Sequence, residues 1–153
     1  MMVKIVPFET EHAVNIIQRN NDEGIKQKTS VSVEEMIRSY TIPGSRAVTI
    51  MKDKTPIVCA GIINLGWKRG EAWLLKSSLF YKYKFSILKI GKRFIPLIAK
   101  EGSFRRVQSV SFTENNRWFE CLGFKREGIL EAYGPDGQSV IMYSRIFKEN
   151  ANG

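Results

Sequence analysis

The sequence predicts an α/β protein of the layered α+β kind, with a mixed, mostly antiparallel central sheet of about seven strands flanked by about four helices. First, 153 residues with 43% hydrophobic composition suit one globular domain with its own core. Second, strand and helix patterns are interleaved along the chain. Third, three strand patterns follow one another between residues 46 and 78, so the strict strand–helix alternation of a doubly wound nucleotide-binding fold fails there.

Seven segments have the alternation or the β-branched composition of strands. The third segment is nearly all apolar and is predicted to be central in the sheet. Turn residues in "KDKTP", "GWKRG" and "GPDGQ" separate neighbouring strands. The predicted strands cover residues 3–8, 46–52, 57–65, 71–78, 106–112, 124–133 and 140–147.

Two helices are predicted between the first and second strands. Thr10 is a suitable cap for a helix that ends near Asn20. "SVEE" has the spacing of a capping box, in which Ser32 and Glu35 satisfy each other's backbone N–H groups. A second, short helix is therefore expected to run to about Tyr40.

Two further helices are predicted in the second half of the chain. Residues 84–100 place apolar side chains broadly on one side with lysines between them, and Pro96 is expected to kink or shorten this helix. Thr113 is predicted to cap the fourth helix. Gly123 is predicted to end it in the left-handed conformation, and Phe124 then starts a strand. We expect one domain over residues 1–148 and a frayed tail over residues 149–153.

The formal charge of +9 is concentrated in the middle of the chain. Residues 36–106 hold fifteen Lys or Arg and three Asp or Glu. This imbalance favours an anionic partner, such as a phosphate-rich cofactor, a nucleic acid or an acidic protein. A solvated basic face is the alternative. Aromatic residues also interleave with lysines in "FYKYKF", so nucleic-acid binding through residues 82–106 stays open.

Several classes are disfavoured by composition. No run approaches the ~20 apolar residues of a membrane span, and the start of the chain does not have the pattern of a secretory signal. Cys59 and Cys121 lie in apolar runs and are expected to be buried thiols in a reducing cytoplasm. His12 is the single histidine, which excludes an all-histidine metal site, and no metal site is expected. We therefore expect a cytoplasmic protein without membrane contact.

The C-terminal segment carries a family resemblance. Residues 113–147, "TENNRWFECLGFKREGILEAYGPDGQSVIMYSRIF", resemble the C-terminal half of GNAT-superfamily N-acetyltransferases. The matching pieces are Leu122-Gly123-Phe124, Glu127-Gly128, Asp136-Gly137 and Tyr143. With Arg117-Trp118 ahead of Leu-Gly-Phe, the form is most similar to compact GNAT-like proteins of bacteriophages.

The resemblance implies a site for acetyl-coenzyme A. Such proteins bind it in a V-shaped opening between the fourth and fifth strands, with the pyrophosphate at the start of the following helix. The usual glycine-rich loop is absent here, since no glycine lies between residues 70 and 91. Side chains are therefore expected to replace loop backbone as phosphate contacts. The implied cofactor-binding residues are Leu75, Lys76, Ser77, Lys82, Lys84, Asn115 and Asn116.

The resemblance also implies positions for proton transfer. Many GNAT enzymes have a tyrosine, the general acid, where this chain has Phe119. Glu71 is the predicted general base, because it is the single acidic residue between Lys54 and Lys100, although a surface role is the alternative. Tyr81, Tyr83 and Tyr133 could each substitute as the acid, and no pattern in the sequence singles one out; Tyr133 is the predicted catalytic tyrosine.

The expected function is transfer of an acetyl group from acetyl-coenzyme A to an amine on a small molecule or protein, by direct attack. One alternative is a GNAT-fold binding, regulatory or phage-particle protein without transferase activity. A second is nucleic-acid binding. The sequence leaves open whether the protein forms a homodimer.

Overall fold

A seven-stranded sheet organises the protein, whose computed structural model describes residues 2–26, 32–38 and 41–148. The strand order is β1-β2-β3-β4-β5-β7-β6. Within the described residues, β4 and β5 are the one parallel pair of neighbours, and the other pairs are antiparallel. The predicted mixed, mostly antiparallel sheet is confirmed. Its strands are β1 (Lys4–Pro7), β2 (Arg46–Lys52), β3 (Thr55–Gly66), β4 (Arg69–Lys76), β5 (Arg106–Ser111), β6 (Lys125–Leu130) and β7 (Val140–Ile146).

Among the described residues, four helices cover the two faces of this sheet. Side chains alternate between the faces along each strand, so one strand contributes to two cores. On β4, Trp73 packs with residues of α1 and α2, whereas Leu74 belongs to a core with residues of α3. The helices are α1 (Thr10–Asp22), α2 (Val33–Arg38), α3 (Phe80–Glu101) and α4 (Arg117–Cys121).

The first two helices begin at polar capping residues, as predicted, but the residue that caps α1 differs from the predicted one. Glu9, and not Thr10, is the cap of α1, and the Glu9 N–H donates to His12 Nδ1 at 3.1 Å. At the start of α2, the Glu35 N–H donates to Ser32 Oγ at 3.1 Å. The predicted end of this helix at Tyr40 lies outside the described residues.

Helix α3 starts at Phe80, earlier than the predicted residue 84. Phe80, Tyr83 and Ile87 share the helical spacing and are all buried, so packing against the sheet extends the helix backward. Pro96 does not shorten it, because the helix continues to Glu101.

The predicted bounds of two later elements are wrong. Asn116, and not Thr113, caps α4, because Asn116 Oδ1 accepts the Phe119 N–H at 3.1 Å. The Thr113 N–H instead donates to Ser111 Oγ at 3.2 Å. Strand β6 ends at Leu130, before the predicted residue 133, since Ala132 has a φ of 53° that is incompatible with a strand.

In the described part of the chain, no helix is both long and apolar enough to cross a membrane.

Gly123 closes α4 as predicted, and its replacement is expected to destabilise the protein. Its φ is +87°, and an added Cβ would lie 3.2 Å from Arg145 side-chain atoms. Gly123→Ala should lower the free energy of unfolding by about 1–2 kcal/mol, which corresponds to a melting temperature roughly 2–8 °C lower. Thermal unfolding measures this. Gly128→Ala is the control, because nothing lies within 4 Å of its added Cβ. Equal effects of the two variants would contradict the assignment.

Candidate functional site

An opening between β4 and β5 is the centre of the candidate site. The two strands pair over Arg69↔Arg106, Gly70↔Val107 and Glu71↔Gln108. Both strands continue past this point, β4 to Lys76 and β5 to Ser111. The backbone of each strand therefore has polar groups that face the opening, as the family resemblance implied. Ser109 Oγ donates to the Ala72 carbonyl at 2.8 Å and satisfies the first of these groups across the gap.

A cleft of about 1210 Å³ includes this opening and continues between α3 and the sheet. Four predicted cofactor-binding residues line it: Leu75, Lys76, Lys84 and Asn116. The other three have different surroundings. Ser77 Oγ donates to the Ile57 carbonyl at 2.8 Å, and Lys82 Nζ lies 5.5 Å from the centre of the Tyr83 ring. Asn115 is exposed in the turn before α4, with a φ of 51°.

The start of α3 provides a positive potential at the mouth of the cleft. Three residues separate the end of β4 at Lys76 from the start of α3 at Phe80. Lys76 Nζ lies 5.1 Å from the centre of the Phe80 ring and 4.9 Å from that of Tyr81. Lys84 also lines the cleft. The helix dipole and both ammonium groups favour an anion here, although the connection has no glycine.

The interleaved aromatic residues of "FYKYKF" divide between the core and the surface. Phe80 and Tyr83 are buried, whereas Tyr81 and Phe85 are 62% and 72% exposed. A stacking surface for nucleic-acid bases would therefore have two aromatic rings here and not four.

Glu71 lies at the last pair of the parallel ladder, on the face covered by α1 and α2. It is 8% exposed, and Gln108 Nε2 donates to Glu71 Oε2 at 3.0 Å. Burial raises the pKa of Glu71 above its ordinary value of 4.5, and the hydrogen bond from Gln108 opposes this rise. Glu35 also raises this pKa and Arg106 lowers it. The cleft lining on β4 begins at Ala72, so Glu71 lies beside the cleft.

Arg106 determines the orientation of Gln108. Arg106 Nε donates to Gln108 Oε1 at 2.9 Å. Because a guanidinium can only donate, the Gln108 carbonyl oxygen faces Arg106 and its amide nitrogen faces Glu71. Arg106 in turn binds Glu127 through both terminal nitrogens, with Nη1 to Oε2 at 2.9 Å. This bidentate pair lowers the pKa of Glu127 and raises that of Arg106.

Sequence reasoning missed Gln108, Arg106 and Glu127 as parts of the site. Gln108 is 37 positions from Glu71, and no motif or spacing joins the two. The register of β4 with β5 brings them together, and only a correct prediction of that register could have found the pair.

The predicted acid Tyr133 is 56% exposed on the connection between β6 and β7, outside the residues that line the cleft. A different tyrosine lies beside Phe119. The Tyr143 ring centre is 5.1 Å from that of Phe119, and Tyr143 Oη accepts the Asn116 N–H at 3.0 Å. The Asn116 side chain also donates to Ser111 Oγ at 3.0 Å. Tyr143 thus joins β7 to the cap of α4 at the edge of the cleft.

The two cysteines differ in environment, contrary to the expectation that both are buried. Cys59 is fully buried, and desolvation raises the pKa of its thiol to about 11. Cys121 is exposed and lines the cleft, because α4 turns it away from the core. In residues 2–26, 32–38 and 41–148, no group of three or more His, Cys, Asp or Glu side chains could hold a metal ion.

Solved acetyltransferase structures have the same fold. The ribosomal-protein-S5-alanine acetyltransferase of Vibrio fischeri matches with a TM-score of 0.74 and 14% identity, over 95% of this chain and 93% of that chain. A GNAT-family acetyltransferase from Streptococcus pneumoniae matches with a TM-score of 0.69 and 13% identity, over 95% and 100%. The microcin C7 self-immunity acetyltransferase MccE, in complex with acetyl-CoA and AMP, matches with a TM-score of 0.71 and 15% identity, over 95% and 92%.

No protein-family model matches the sequence, and no curated protein matches it. The structural likeness establishes the fold, so the predicted GNAT fold is confirmed.

The two thiols should react at very different rates. A thiol reagent at pH 8 is expected to modify Cys121 rapidly and Cys59 only after unfolding, because a buried thiol with a raised pKa has little thiolate. Absorbance of the released chromophore counts one fast thiol in the folded protein and two in denaturant. Cys121→Ser should remove the fast phase. Two fast thiols in the folded wild type would contradict the burial of Cys59.

Glu71→Gln should stabilise the protein at neutral pH. The folded protein holds the Glu71 proton more tightly than the unfolded chain, because burial raises this pKa. The free energy of unfolding should therefore fall as pH rises from 4.5 through the raised pKa, and then level off. Glutamine has no carboxylate, so the variant lacks this loss of stability. The free energy of unfolding of the variant should therefore rise relative to that of the wild type as pH increases above 4.5, and below 4.5 the two proteins should have the same pH dependence. Urea unfolding at pH 4 to 8 tests this. A constant difference between the two proteins would refute it.

Proposed function

We propose that the protein is an N-acetyltransferase that moves an acetyl group from acetyl-coenzyme A to an amine by direct attack. The observation that carries the proposal is the parallel pair β4–β5, whose ladder ends at Glu71 and Gln108 and opens into the cleft. The fold found in acetyltransferases supports it.

The residues present fit a coenzyme A thioester. Lys76, Lys84 and the start of α3 suit the pyrophosphate, because they combine two ammonium groups with a positive helix end. The backbone of β4 around Leu74, between the Ala72 and Lys76 carbonyls that accept from Ser109 and Asn20, suits the amides of an extended pantetheine chain. The thioester supplies an acyl group on a good leaving group.

Glu71 is the proposed general base. A buried carboxylate with a raised pKa is a better proton acceptor near neutral pH than an exposed one. Because Glu71 lies beside the cleft, a water would carry the proton from the attacking amine to its carboxylate. Backbone N–H groups of β4 would stabilise the negative oxygen that forms on the carbonyl.

Tyr133 remains the predicted acid for the leaving thiolate, although it lies outside the residues that line the cleft. Tyr143 is not an alternative donor: its ring contacts Phe119, the position of the family's acid, but Tyr143 is fully buried and is also outside the cleft lining. Water can also protonate a thiolate, so a missing tyrosine does not prevent the reaction. The amine acceptor, a homodimeric state, a cytoplasmic location and the bacteriophage-type origin stay predictions.

Binding of acetyl-coenzyme A is the first test. Ligand at ~100-fold over its Kd should stabilise the protein by about 2.7 kcal/mol, a melting shift of roughly 5–10 °C. Lys76→Ala and Lys84→Ala should each weaken binding roughly 10-fold or more, because each removes a charge-assisted contact. Lys54→Ala is the control, since Lys54 is exposed in the β2–β3 turn. No shift at millimolar ligand would sink the proposal.

Turnover is tested separately with a panel of small amines and peptides. Glu71→Gln should lower kcat roughly 10²–10⁴-fold while the ligand-induced melting shift is unchanged. A lack of effect on kcat would remove Glu71 as the base. Binding without turnover on any amine would favour the second candidate, a GNAT-fold binding protein, to which the phenylalanine at position 119 also points.

A further inference from the structure

In the described part of the chain, the layer between α3 and the sheet contains two apolar cores, and Trp118 of α4 packs against both. Near the start of α3, Phe80, Tyr83 and Ile87 pack with residues of β2 and β3. Near its end, Ile95 and Ile98 pack with another group of residues from the sheet and α4. Among the described residues, the first group includes Ile50, Ile57, Val58 and Leu74, and the second includes Ile62, Ala72, Val107 and Leu122.

Val48 and Ala60 lie between these cores on the sheet, and neither core includes them. They are partners in the β2–β3 register, and both keep accessible surface although a helix covers their side of the sheet. The adjacent register pair, Thr49 and Cys59, faces the other side and is fully buried. The two faces of the same strands are therefore packed to different degrees.

Leu88, Gly91 and Ile95 of α3 form the opposite wall of this space. Gly91 adds no side chain to this wall, and Leu122 occupies the place where one would lie, since an added Cβ would be 2.8 Å from Leu122 Cδ2. The space belongs to the same cleft of about 1210 Å³ that opens between β4 and β5. Since β2 lies two strands from β4, the cleft extends ~10 Å sideways from the opening.

The chemistry of the two ends of the cleft differs. The mouth has Lys76 and Lys84, whereas the lining beneath α3 is mostly apolar, with Arg46 as a charged residue on the same strand as Val48. A water molecule needs two to four polar partners, which the side chains of Val48, Ala60, Leu88 and Ile95 do not offer. Protein interiors are otherwise close-packed, so a cleft of this shape suits an apolar chain attached to an anionic head.

We propose that the space beneath α3 binds the acyl chain of the thioester donor, so that the preferred donor carries a medium or long straight chain and not only an acetyl group. This inference rests on the proposed function, because the head of the donor would occupy the β4–β5 opening. The thioester carbonyl would lie at the opening, and the chain would run over Ala60 towards Val48.

Affinity against chain length is the test. Calorimetry with coenzyme A and its acetyl, butanoyl, hexanoyl and octanoyl thioesters, without amine acceptor, measures binding alone. Affinity should rise about fourfold for each added methylene that is buried. An affinity that is the same from acetyl to octanoyl would overturn the inference and leave the proposed function intact.

A variant pair locates the chain. In Val48→Phe, the larger side chain should fill the space between the sheet and α3. The variant should therefore lose the gain in affinity from acetyl- to octanoyl-coenzyme A but still bind acetyl-coenzyme A. Val14→Phe is the matched control, because Val14 is 53% exposed on α1. Ala60→Val is a milder second variant, and the melting temperature of each shows that it folds. A chain-length gain that survives both Val48→Phe and Ala60→Val would overturn the location.

Octanoate without coenzyme A separates the two proposals. If no coenzyme A species binds but octanoate binds and Val48→Phe removes this binding, the apolar site is supported and the proposed function fails. If neither octanoate nor octanoyl-coenzyme A binds, the acyl-chain site is refuted, and binding of acetyl-coenzyme A then decides the proposed function separately.

Discussion

The β4–β5 ladder is parallel and ends after Glu71 and Gln108, and the rest of the site depends on where it ends. A parallel pair needs a crossover connection, and here that crossover is α3. This crossover places the start of α3 at the end of β4, beside Lys76. The rest of α3 covers the sheet face to which Ala72 and Leu74 belong. An antiparallel hairpin at this position would give neither the opening nor the positive mouth.

The two faces of the sheet have different chemistry because side chains alternate along each strand. Glu71, Gln108, Arg106 and Glu127 form a hydrogen-bonded series on the face of α1 and α2. The face beneath α3 is apolar and incompletely packed. In the proposed reaction, neighbouring residues of the same strands would serve proton transfer on one face and donor binding on the other, without a charge in an apolar space.

Local patterns predicted the elements well where packing agreed with them. The seven strands, the capping of α2 by Ser32 and the end of α4 at Gly123 follow from alternation, capping and glycine chemistry. The bounds failed where tertiary contacts decided. Burial of Phe80 and Tyr83 lengthened α3, and the cap of α4 moved to Asn116 because Thr113 bonds with Ser111. Exposure of Cys121 depends on which side of a short helix faces the core.

By itself, the sequence determined the order of strands and helices, the helix–glycine–strand unit at Gly123, and the absence of a glycine-rich phosphate loop. These features depend on residues close together in the chain. Only the tertiary structure decided that Gln108 contacts Glu71, that Tyr143 lies beside Phe119, and that Val48 and Ala60 remain accessible beneath α3. Such contacts join distant parts of the chain, so they are set by strand register and helix packing, which local patterns do not specify.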